Sequence, residues 1–511
     1  MIRKYTASAD TTIVNAFQPN LTRRGTGSNT GMADVMEVFS IYGRQTPSSS
    51  AAQGSQELSR MLIKFPATGI SADRTANLIP SSGSVRFILK LYNAQTSKTV
   101  PRDFKLVVHK VAKPWEEGVG LDLIGYKDYV KSNTGADWIQ ARKGTNWNLV
   151  GGDYLTGGSD PFFEQTFDTG LEDLEIDITS LVEGWMAAPA TNYGIGVKLS
   201  SSYEAYFSSS TGTSASGSVV NNTNGATKSY YTKRFFARGS QYWFKRPRIE
   251  ARWDSSFRDD RNDFYYSSSV APSADNLNTI YLYNYVRGRL VNIPRIGMNK
   301  IYVSLYSGSS DNSGPAGSKR TLYNGATNMT GGFVSTGVYS CSIGIVSSSI
   351  TQLFDVWHDG TTEYFTGSIY PKLQTAEMTR KKPVHYLSIT NLQDRYLRHQ
   401  TARLYLYVRD KDWSPTIYTV ANKVAENTAI PSASYRVFRT MDGYQAIPYD
   451  TGSTLATRLS YDISGNYFDL NMDLLEPGYE YGVKFAFYDD ELSSWKEQDE
   501  TFRFRVEDYE Y

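Results

Sequence analysis

The sequence predicts an all-β protein in which a large N-terminal sandwich is followed by two smaller ones. Apolar and polar residues alternate at period two in many short segments, which is the pattern of half-buried antiparallel strands. Helical spacing is nearly absent, and Gly184 limits the best candidate, Thr179–Trp185, to about two turns. Aromatic residues reach 14% of the 511 residues, and 38 residues are Tyr, which suits strand faces and contact surfaces.

The predicted strands are distributed along the whole chain. Each places apolar side chains on one face and polar or Tyr side chains on the other. The clearest examples are Val85–Leu91, Leu174–Ile178, Ile301–Leu305, Leu404–Val408, Val483–Phe487 and Phe502–Val506. Many short strands separated by Gly, Ser, Asn and Pro turns indicate sandwiches or barrels.

Two polar breaks divide the chain into three predicted domains. The first break is Tyr266–Asn278 and the second is Leu373–Pro383. We therefore predict domains at residues 1–265, 266–375 and 376–511. The last two sizes suit single immunoglobulin-like sandwiches, and the first suits a larger sandwich or jelly roll.

Composition excludes several classes of protein. The 53 Lys and Arg residues balance 52 Asp and Glu residues, so no global field attracts nucleic acid or an acidic membrane. The single cysteine, Cys341, allows no internal disulfide and no all-Cys metal site. No apolar run of about 20 residues predicts a membrane span, and no secretory signal follows Arg3-Lys4. We expect a protein that is made and left in the cytoplasm.

No catalytic constellation is visible. The four histidines lack metal-ligand spacing, and the nucleophile elbow, phosphate loop and dinucleotide fingerprint are absent. Adjacent Glu116 and Glu117 would point to opposite faces of a strand. The acidic segment Asp254–Asp263 lacks the Gly and closing Glu of an EF-hand, so a solvated loop is the preferred interpretation. We predict no enzyme activity, no catalytic residues, no cofactor and no metal ligands.

The first ~253 residues contain a series of strings that occur in a characteristic order. The strings are Ala9–Ile13, Ser59–Phe65, Pro114–Gly118, Leu174–Trp185, Asn192–Val197 and Arg246–Ile249. Together they resemble the DNRLRE-type modules, which are jelly rolls similar to carbohydrate-binding modules. Such modules occur in bacterial surface proteins and in structural proteins of tailed phages. The resemblance allows a structural Ca²⁺ here, for which the sequence identifies no ligands.

Two short strings resemble sandwich motifs nearer the C-terminus. Leu475, Pro477, Gly478 and Tyr481 resemble the L-x-P-G-x-x-Y tyrosine corner of fibronectin type III domains. In that corner the Tyr hydroxyl bonds to nearby backbone and the ring joins the core. Gly337–Cys341 is similar to the G-x-Y-x-C of immunoglobulin strand F, but without a second Cys we interpret Cys341 as a small core residue.

Two surfaces are candidates for contacts. Basic and aromatic residues mix in Lys233–Arg252, which we interpret as a protein interface or a plain strand surface rather than a site for single-stranded nucleic acid. The candidate interface residues are Arg234, Arg238, Tyr242, Trp243, Arg246 and Arg248. Their expected partner is the acidic stretch Phe485–Tyr511 of another subunit. Trp138, Trp147 and Tyr154 form a candidate platform on which sugar rings could stack.

Two functions remain open. Taken together, the modules and the missing secretion signal resemble a virion structural protein of a tailed bacteriophage, of the T4-like marine type. This resemblance implies a neck, collar, tail-associated or fibre-like subunit located in the virion. Its partners would be other virion proteins, copies of itself and host-surface glycan. The alternative is a carbohydrate-binding adhesin of a bacterial surface.

Overall fold

A computed structural model describes most of the chain. The described residues are 1–19, 23–44, 55–96, 100–121, 135–208, 217–268, 270, 272, 276–346, 349–373, 384–411, 427–490 and 492–508. The chain divides into two compact units, a first unit of Ile2–Trp253 and a second unit of Asp254–Tyr511 with Met1. The fold is all-β, as the sequence predicts. None of the helices among the described residues is long and apolar enough to cross a membrane.

The first unit contains thirteen strands and two α-helices among its described residues. In chain order they are β1 (Ile2–Thr6), β2 (Ala9–Val14), β3 (Val35–Arg44), β4 (Ser55–Lys64), α1 (Ala67–Thr75), β5 (Arg86–Leu91), β6 (Phe104–Lys110), β7 (Gln140–Arg142), β8 (Thr145–Asn146), β9 (Phe162–Phe167), β10 (Leu174–Asp177), α2 (Thr179–Ala187), β11 (Ile195–Leu199), β12 (Tyr230–Phe236) and β13 (Arg248–Arg252). Helix α2 confirms the predicted helical segment, whereas α1 has no counterpart among the sequence predictions.

Two antiparallel sheets enclose the core of the first unit. The smaller sheet has the order β1-β13-β5-β10, and the larger has the order β12-β3-β4-β11-β6-β9 with β2 also paired to β4. Apolar side chains from both sheets and from α2 form one buried cluster, which includes Phe87, Leu89, Val108, Trp185 and Ile249. Burying each large apolar side chain contributes about 1.5–3 kcal/mol. The period-two pattern of the sequence therefore marks the inner faces of this sandwich.

The second unit contains the remaining strands of the described chain. They are β14 (Asn278–Tyr283), β15 (Tyr285–Val286), β16 (Arg289–Leu290), β17 (Ile301–Gly308), β18 (Pro315–Ala316), β19 (Met329–Ser335), β20 (Val338–Ile343), β21 (Leu353–His358), β22 (Glu363–Ile369), β23 (His385–Ile389), β24 (Arg395–Leu397), β25 (Thr401–Asp410), β26 (Ala433–Arg439), β27 (Gln445–Ile447), β28 (Ser460–Asp462), β29 (Gly465–Asn471), β30 (Glu480–Asp489), β31 (Ser494–Glu497) and β32 (Phe502–Glu507).

These strands form a middle sandwich and a last sandwich. The middle sandwich is a curled antiparallel sheet with the order β14-β20-β19-β17-β21-β22, and its core includes Tyr339, Cys341 and Trp357. The last sandwich has one sheet of order β23-β25-β29-β28 and one of order β24-β32-β30-β26-β27. Cys341 is buried, as the interpretation of it as a core residue requires.

The boundary between the units corrects one prediction. The first unit ends at Trp253 rather than at residue 265. Residues 254–265, named here the junction segment, bond instead to strands of the second unit. For example, the backbone N–H of Asp260 donates to the carbonyl of Thr279 at 2.8 Å. The other predicted boundary, at residues 375 and 376, lies outside the described residues.

Candidate functional site

Lys233, at the start of the predicted basic interface, is a buried side chain held inside the first unit. Its Nζ donates to Asn93 Oδ1 at 2.8 Å and to the carbonyls of Gly170 and Glu172 at 2.8 and 2.7 Å. Burial lowers the pKa of the Lys233 ammonium to about 8, against the opposing effect of Glu172 and Asp173. The Lys233 ammonium therefore stabilises the first unit and is not available to bind a partner.

The arginines of β12 and the loop after it pair with carboxylates of the same unit. Arg238 binds Glu117 through two hydrogen bonds, Nε to Oε1 at 3.0 Å and Nη2 to Oε2 at 2.8 Å. Arg234 Nε lies 3.4 Å from Glu37 Oε2. Both pairs join residues that are far apart in sequence, so local composition gives no sign of them.

Strand β13 carries a ladder of alternating charges. Arg248 and Glu250 are buried and lie 2.6 Å apart, and the second oxygen of Glu250 lies 2.6 Å from Arg252 Nη2. Burial raises the pKa of Glu250, but the cations Arg248, Lys90 and Arg252 outweigh it and hold the pKa well below its usual range. The carboxylate therefore stays charged and holds these side chains against the sheet.

The remaining residues of the predicted interface are largely engaged as well. Arg246 donates from Nε and Nη2 to the carbonyl of Ser240, at 3.0 and 2.9 Å. The Trp243 ring lies 5.2 Å from Lys4 Nζ, while Tyr242 stays exposed. Carboxylates of the same unit balance the charges of Arg234, Arg238 and Arg248, whereas Arg246 bonds to a neutral carbonyl and Tyr242 is exposed, so the interface stays a prediction.

The predicted glycan platform is wrong because its tryptophans are buried. Trp138 is 0% exposed and Trp147 is 5% exposed, and their indole N–H groups donate to the carbonyls of Ser218 and Asp137, each at 2.9 Å. The Tyr154 hydroxyl donates to the carbonyl of Gly151 at 2.9 Å. The three rings belong to a second apolar cluster on the outer face of the larger sheet, with Ile13, Leu58, Leu62 and Val111.

Beneath these rings lies a buried ion pair that the sequence did not reveal. Arg60 and Glu204 face each other with side chains only 4% and 5% exposed, joined at 3.1 Å (Nε to Oε1) and 3.0 Å (Nη2 to Oε2). Arg60 also donates to the carbonyl of Gly151 and lies 5.4 Å from the Trp138 ring. Such a pair fixes the covering layer in register with the sheet.

The tyrosine corner has the geometry that the motif predicts. The Tyr481 hydroxyl donates to the carbonyl of Glu476 at 2.8 Å, and its ring stacks on Phe504. Leu475 is buried, and Gly478 adopts φ +89°, a left-handed conformation that favours glycine. Burial raises the pKa of Tyr481, so its hydroxyl stays a donor.

Tyr339 also bonds to backbone through its hydroxyl, in the middle sandwich. Its hydroxyl accepts from the backbone N–H of Ile293 at 3.0 Å and donates to the carbonyl of Gly297 at 2.8 Å. The ring is fully buried beside Phe333. This single side chain therefore anchors the loop between β16 and β17 to the core.

One Ser–His pair in the middle sandwich has the wrong polarity for catalysis. Ser304 Oγ lies 2.8 Å from His358 Nε2, and the backbone N–H of Gly360 donates to His358 Nδ1 at 3.0 Å. Because Nδ1 accepts, the neutral ring carries its proton on Nε2 and donates it to Ser304. Burial lowers the pKa of His358, which favours this neutral ring. His358 therefore cannot take a proton from Ser304.

The junction segment makes polar contacts with both sandwiches of the second unit. Asp260 accepts from the Tyr461 hydroxyl and from the backbone N–H of Thr279, each at 2.7 Å. The backbone N–H of Asp259 donates to the carbonyl of Tyr461 at 3.0 Å. Tyr461 belongs to the last sandwich and Thr279 to the middle sandwich, so one carboxylate fastens both.

A buried ion pair strengthens this junction. Arg261 binds Asp355 through two hydrogen bonds, at 2.5 and 2.8 Å, and Asp355 is fully buried in β21. The Trp357 indole N–H donates to the same carboxylate at 2.8 Å. Asp263 pairs with Lys372 at 2.6 Å. The acidic segment is thus bonded into the fold, which corrects its interpretation as a solvated loop.

A cavity of about 250 Å³ lies beside the junction segment. Tyr265 and Tyr461 line it together with Arg258 and Asn278. Aromatic rings beside charged and amide groups match the chemistry of a small polar ligand. Among the described residues, no group of three or more His, Cys, Asp or Glu is placed to hold a metal ion.

Comparisons with known proteins give only distant similarity. No family model matches the chain, and no curated protein matches it. A chimeric titin Z1Z2 carrying a peptide from decorin matches 46% of this chain and 90% of its own at 11% identity and a TM-score of 0.15. The Ig1-2 module of Drosophila receptor protein tyrosine phosphatase DLAR matches 45% of this chain and 91% of its own, at 8% identity and a TM-score of 0.14. The Yersinia pseudotuberculosis adhesin InvE matches 46% of this chain and 61% of its own, at 11% identity and a TM-score of 0.15. TM-scores this low carry no argument about function.

Proposed function

We propose that the chain is a non-enzymatic structural component of a tailed-phage particle that acts through protein–protein contacts. The bonded junction carries this proposal. Asp260 ties the junction segment to both sandwiches of the second unit, and Arg261 ties it to buried Asp355 of the middle sandwich. A protein that closes around a substrate needs a hinge between its parts, whereas a bracing part needs a stiff joint.

The chemistry of the described residues supports a role without catalysis. His358 donates to Ser304 and cannot activate it. Glu117, one of the two adjacent carboxylates, is held by Arg238. The placement in a phage virion rests on the resemblance of the first ~253 residues to modules found in phage structural proteins. A neck, collar, tail-associated or fibre-like position follows from that resemblance, with assembly in the host cytoplasm.

Mass spectrometry of purified particles tests this proposal. Particles from the source of the protein are banded on a density gradient, and peptides from both units are quantified across the fractions. We expect the peptides to peak with the major capsid protein at a constant ratio. Absence from the particle fractions, with the chain present in the lysate, contradicts the proposal.

The cavity beside the junction segment favours a second candidate function, a carbohydrate-binding adhesin. Tyr265 lines the cavity and is partly exposed, so its ring could stack on a sugar ring. A glycan array tests this with the full chain, the Tyr265→Ala variant and the Tyr230→Ala control, in which an exposed ring of β12 is removed. Binding lost only in Tyr265→Ala supports the adhesin, and an empty array contradicts it.

A further inference from the structure

The tip of the middle sandwich combines exposed apolar side chains with unbalanced positive charge. We name residues 285–300 the cationic tip. This segment contains Arg287, Arg289, Arg295 and Lys300 and no Asp or Glu. Of these cations, Arg295 lies 3.8 Å from Asp359, whereas within the described chain neither Arg287 nor Arg289 forms an ion pair, and both are exposed. The tip thus differs from the β12–β13 arginines, whose charges have internal partners.

The cationic tip is held in a fixed shape. Strands β15 and β16 form a hairpin whose two turn residues, Arg287 and Gly288, have φ of +51° and +76°, as a tight two-residue turn requires. The following loop is anchored to Tyr339 as described above. The backbone N–H of Val291 also donates to the carbonyl of Asn284 at 3.0 Å. A surface held in this way loses little conformational entropy on binding.

Apolar side chains accompany these charges. Tyr285 is 58% exposed, and Val286, Val291 and Met298 are exposed beside it in the hairpin and the loop. Clusters of exposed apolar groups next to Arg are typical of protein contact surfaces. The partner must therefore offer both negative charge and apolar contact.

The same chain carries a surface with that chemistry. We name residues 488–500, the turn between β30 and β31 with its flanks, the acidic hairpin. It contains six acidic residues and one Lys, and of the acidic residues Glu497 is paired within the chain with Arg436 and Lys484. Among its described residues, Leu492 is 55% exposed, and Tyr488, Asp490 and Asp499 are also exposed. The charge also differs over larger ranges: residues 266–375 hold 7 basic and 5 acidic residues, and residues 376–511 hold 16 basic and 21 acidic.

We propose that the cationic tip binds the acidic hairpin of a second copy of this chain. Both surfaces are exposed in the same molecule, so neither covers the other within one chain. Two cationic tips repel, which disfavours a symmetric contact of like surfaces. Each tip therefore meets an unlike surface, either reciprocally in a two-fold dimer or head-to-tail in a ring or a filament. This inference rests on the proposed function, because it names the surfaces through which a structural subunit contacts its copies.

Charge reversal of each surface tests the pairing on the full chain. One variant is Arg287→Glu with Arg289→Glu, and the other is Asp490→Arg with Asp499→Arg. The control, Arg102→Glu with Lys143→Glu, makes the same charge change on exposed residues of the first unit. Sedimentation velocity measures assembly over a concentration series. We expect each reversal to weaken wild-type assembly by at least about tenfold and the control to leave it unchanged.

Mixing the two reversed variants gives the decisive result. At the substituted positions each variant alone presents like charges across the contact, whereas in the mixture the substituted tip positions of one variant meet oppositely charged hairpin positions of the other, so we expect assembly to return. A wild-type chain that stays monomeric, or variants that assemble as wild type does, overturns the inference. If the chain is found in particles but the reversals change nothing, the proposed function stands and this inference fails. If the chain assembles through the tip but is absent from particles, this inference stands and the proposed function fails.

Discussion

The buried charges of this protein keep their partners inside each unit, and their energetics depend on that pairing. Arg60 and Glu204 are both almost fully buried, whereas Lys105 and Glu164 form an ion pair on exposed side chains, 38% and 42% exposed. An exposed pair is screened by water and salt, so it contributes little. A buried pair differs because removal of one partner leaves the other charge without solvent.

We therefore predict a large loss of stability for one Glu→Gln substitution and a small loss for another. Glu204→Gln leaves the Arg60 guanidinium buried and unpaired, and should lower the free energy of unfolding of the first unit by about 3–5 kcal/mol. Glu164→Gln is the control and should change it by about 0–1 kcal/mol. Urea denaturation followed by fluorescence measures both. Similar losses in the two variants would show that the buried pair has no special role.

The tyrosine corner gives a second prediction for a single side chain. Tyr481→Phe removes the hydroxyl that donates to Glu476 and keeps the ring on Phe504. We expect the second unit to lose about 1–2 kcal/mol, the cost of a buried carbonyl without its donor. Tyr479→Phe is the control, because the Tyr479 ring rather than its hydroxyl contacts Arg439. A loss in Tyr479→Phe as large as that in Tyr481→Phe would contradict the corner.

Strands were predictable because one face of each is buried. Alternation in Leu404–Val408 became β25, with the three apolar side chains buried and the tyrosines between them partly exposed. The tyrosine corner at Tyr481 was also visible, because its partner Glu476 lies 5 residues away within a recognisable turn motif, whereas the partner Gly297 of Tyr339 lies 42 residues away. The local sequence pattern is enough to predict a strand wherever the apolar face of that strand is buried inside the sandwich.

The errors have a different physical origin. Trp138 and Trp147 lie in a segment without strand alternation, so nothing local indicates that they cover the outer face of the larger sheet. The junction segment reads as polar, yet Asp260 and Arg261 are bonded across distances of many residues along the chain. Burial by a segment that is distant in sequence depends on tertiary structure, and the local periodicity of the sequence does not predict it.

The junction yields a prediction for the two sandwiches that it joins. Arg261→Met leaves the carboxylate of Asp355 fully buried with the Trp357 indole but without its cation. We expect a loss of about 3–5 kcal/mol in the stability of the second unit and faster proteolysis within residues 254–265. Lys372→Met, which breaks the exposed pair with Asp263, is the control and should stay near wild type. If both variants resist proteolysis within residues 254–265 equally well, the result contradicts a stiff junction.

Among the described residues, each unit contains one buried carboxyl whose pKa is raised to about 7. Burial raises the pKa of Asp10 in the first unit and of Asp259 in the second unit to about 7, with smaller effects from neighbouring Arg238 and Arg261. An unfolded Asp titrates near about 3.9. Between these values each of these two carboxyls keeps its proton in the folded chain and loses it in the unfolded chain, so its own contribution to stability falls as pH rises.

We predict that Asp10 and Asp259 each make their unit less stable as pH rises from 5 to 8, measured as the difference between wild type and the Asn variant. The comparison is needed because burial lowers the pKa of His109 in the first unit and of His358 and His385 in the second, and these groups act in the opposite sense. Each carboxyl contributes a decrease of up to about 4 kcal/mol, which begins near pH 4 and is complete just above pH 7. Asp259→Asn should flatten this decrease for the second unit only, and Asp10→Asn should flatten it for the first unit only. Calorimetry at both pH values measures each transition, and each variant serves as the control for the other. Asn variants with the same dependence of stability on pH as wild type would show that these carboxyls are already ionised in the folded state.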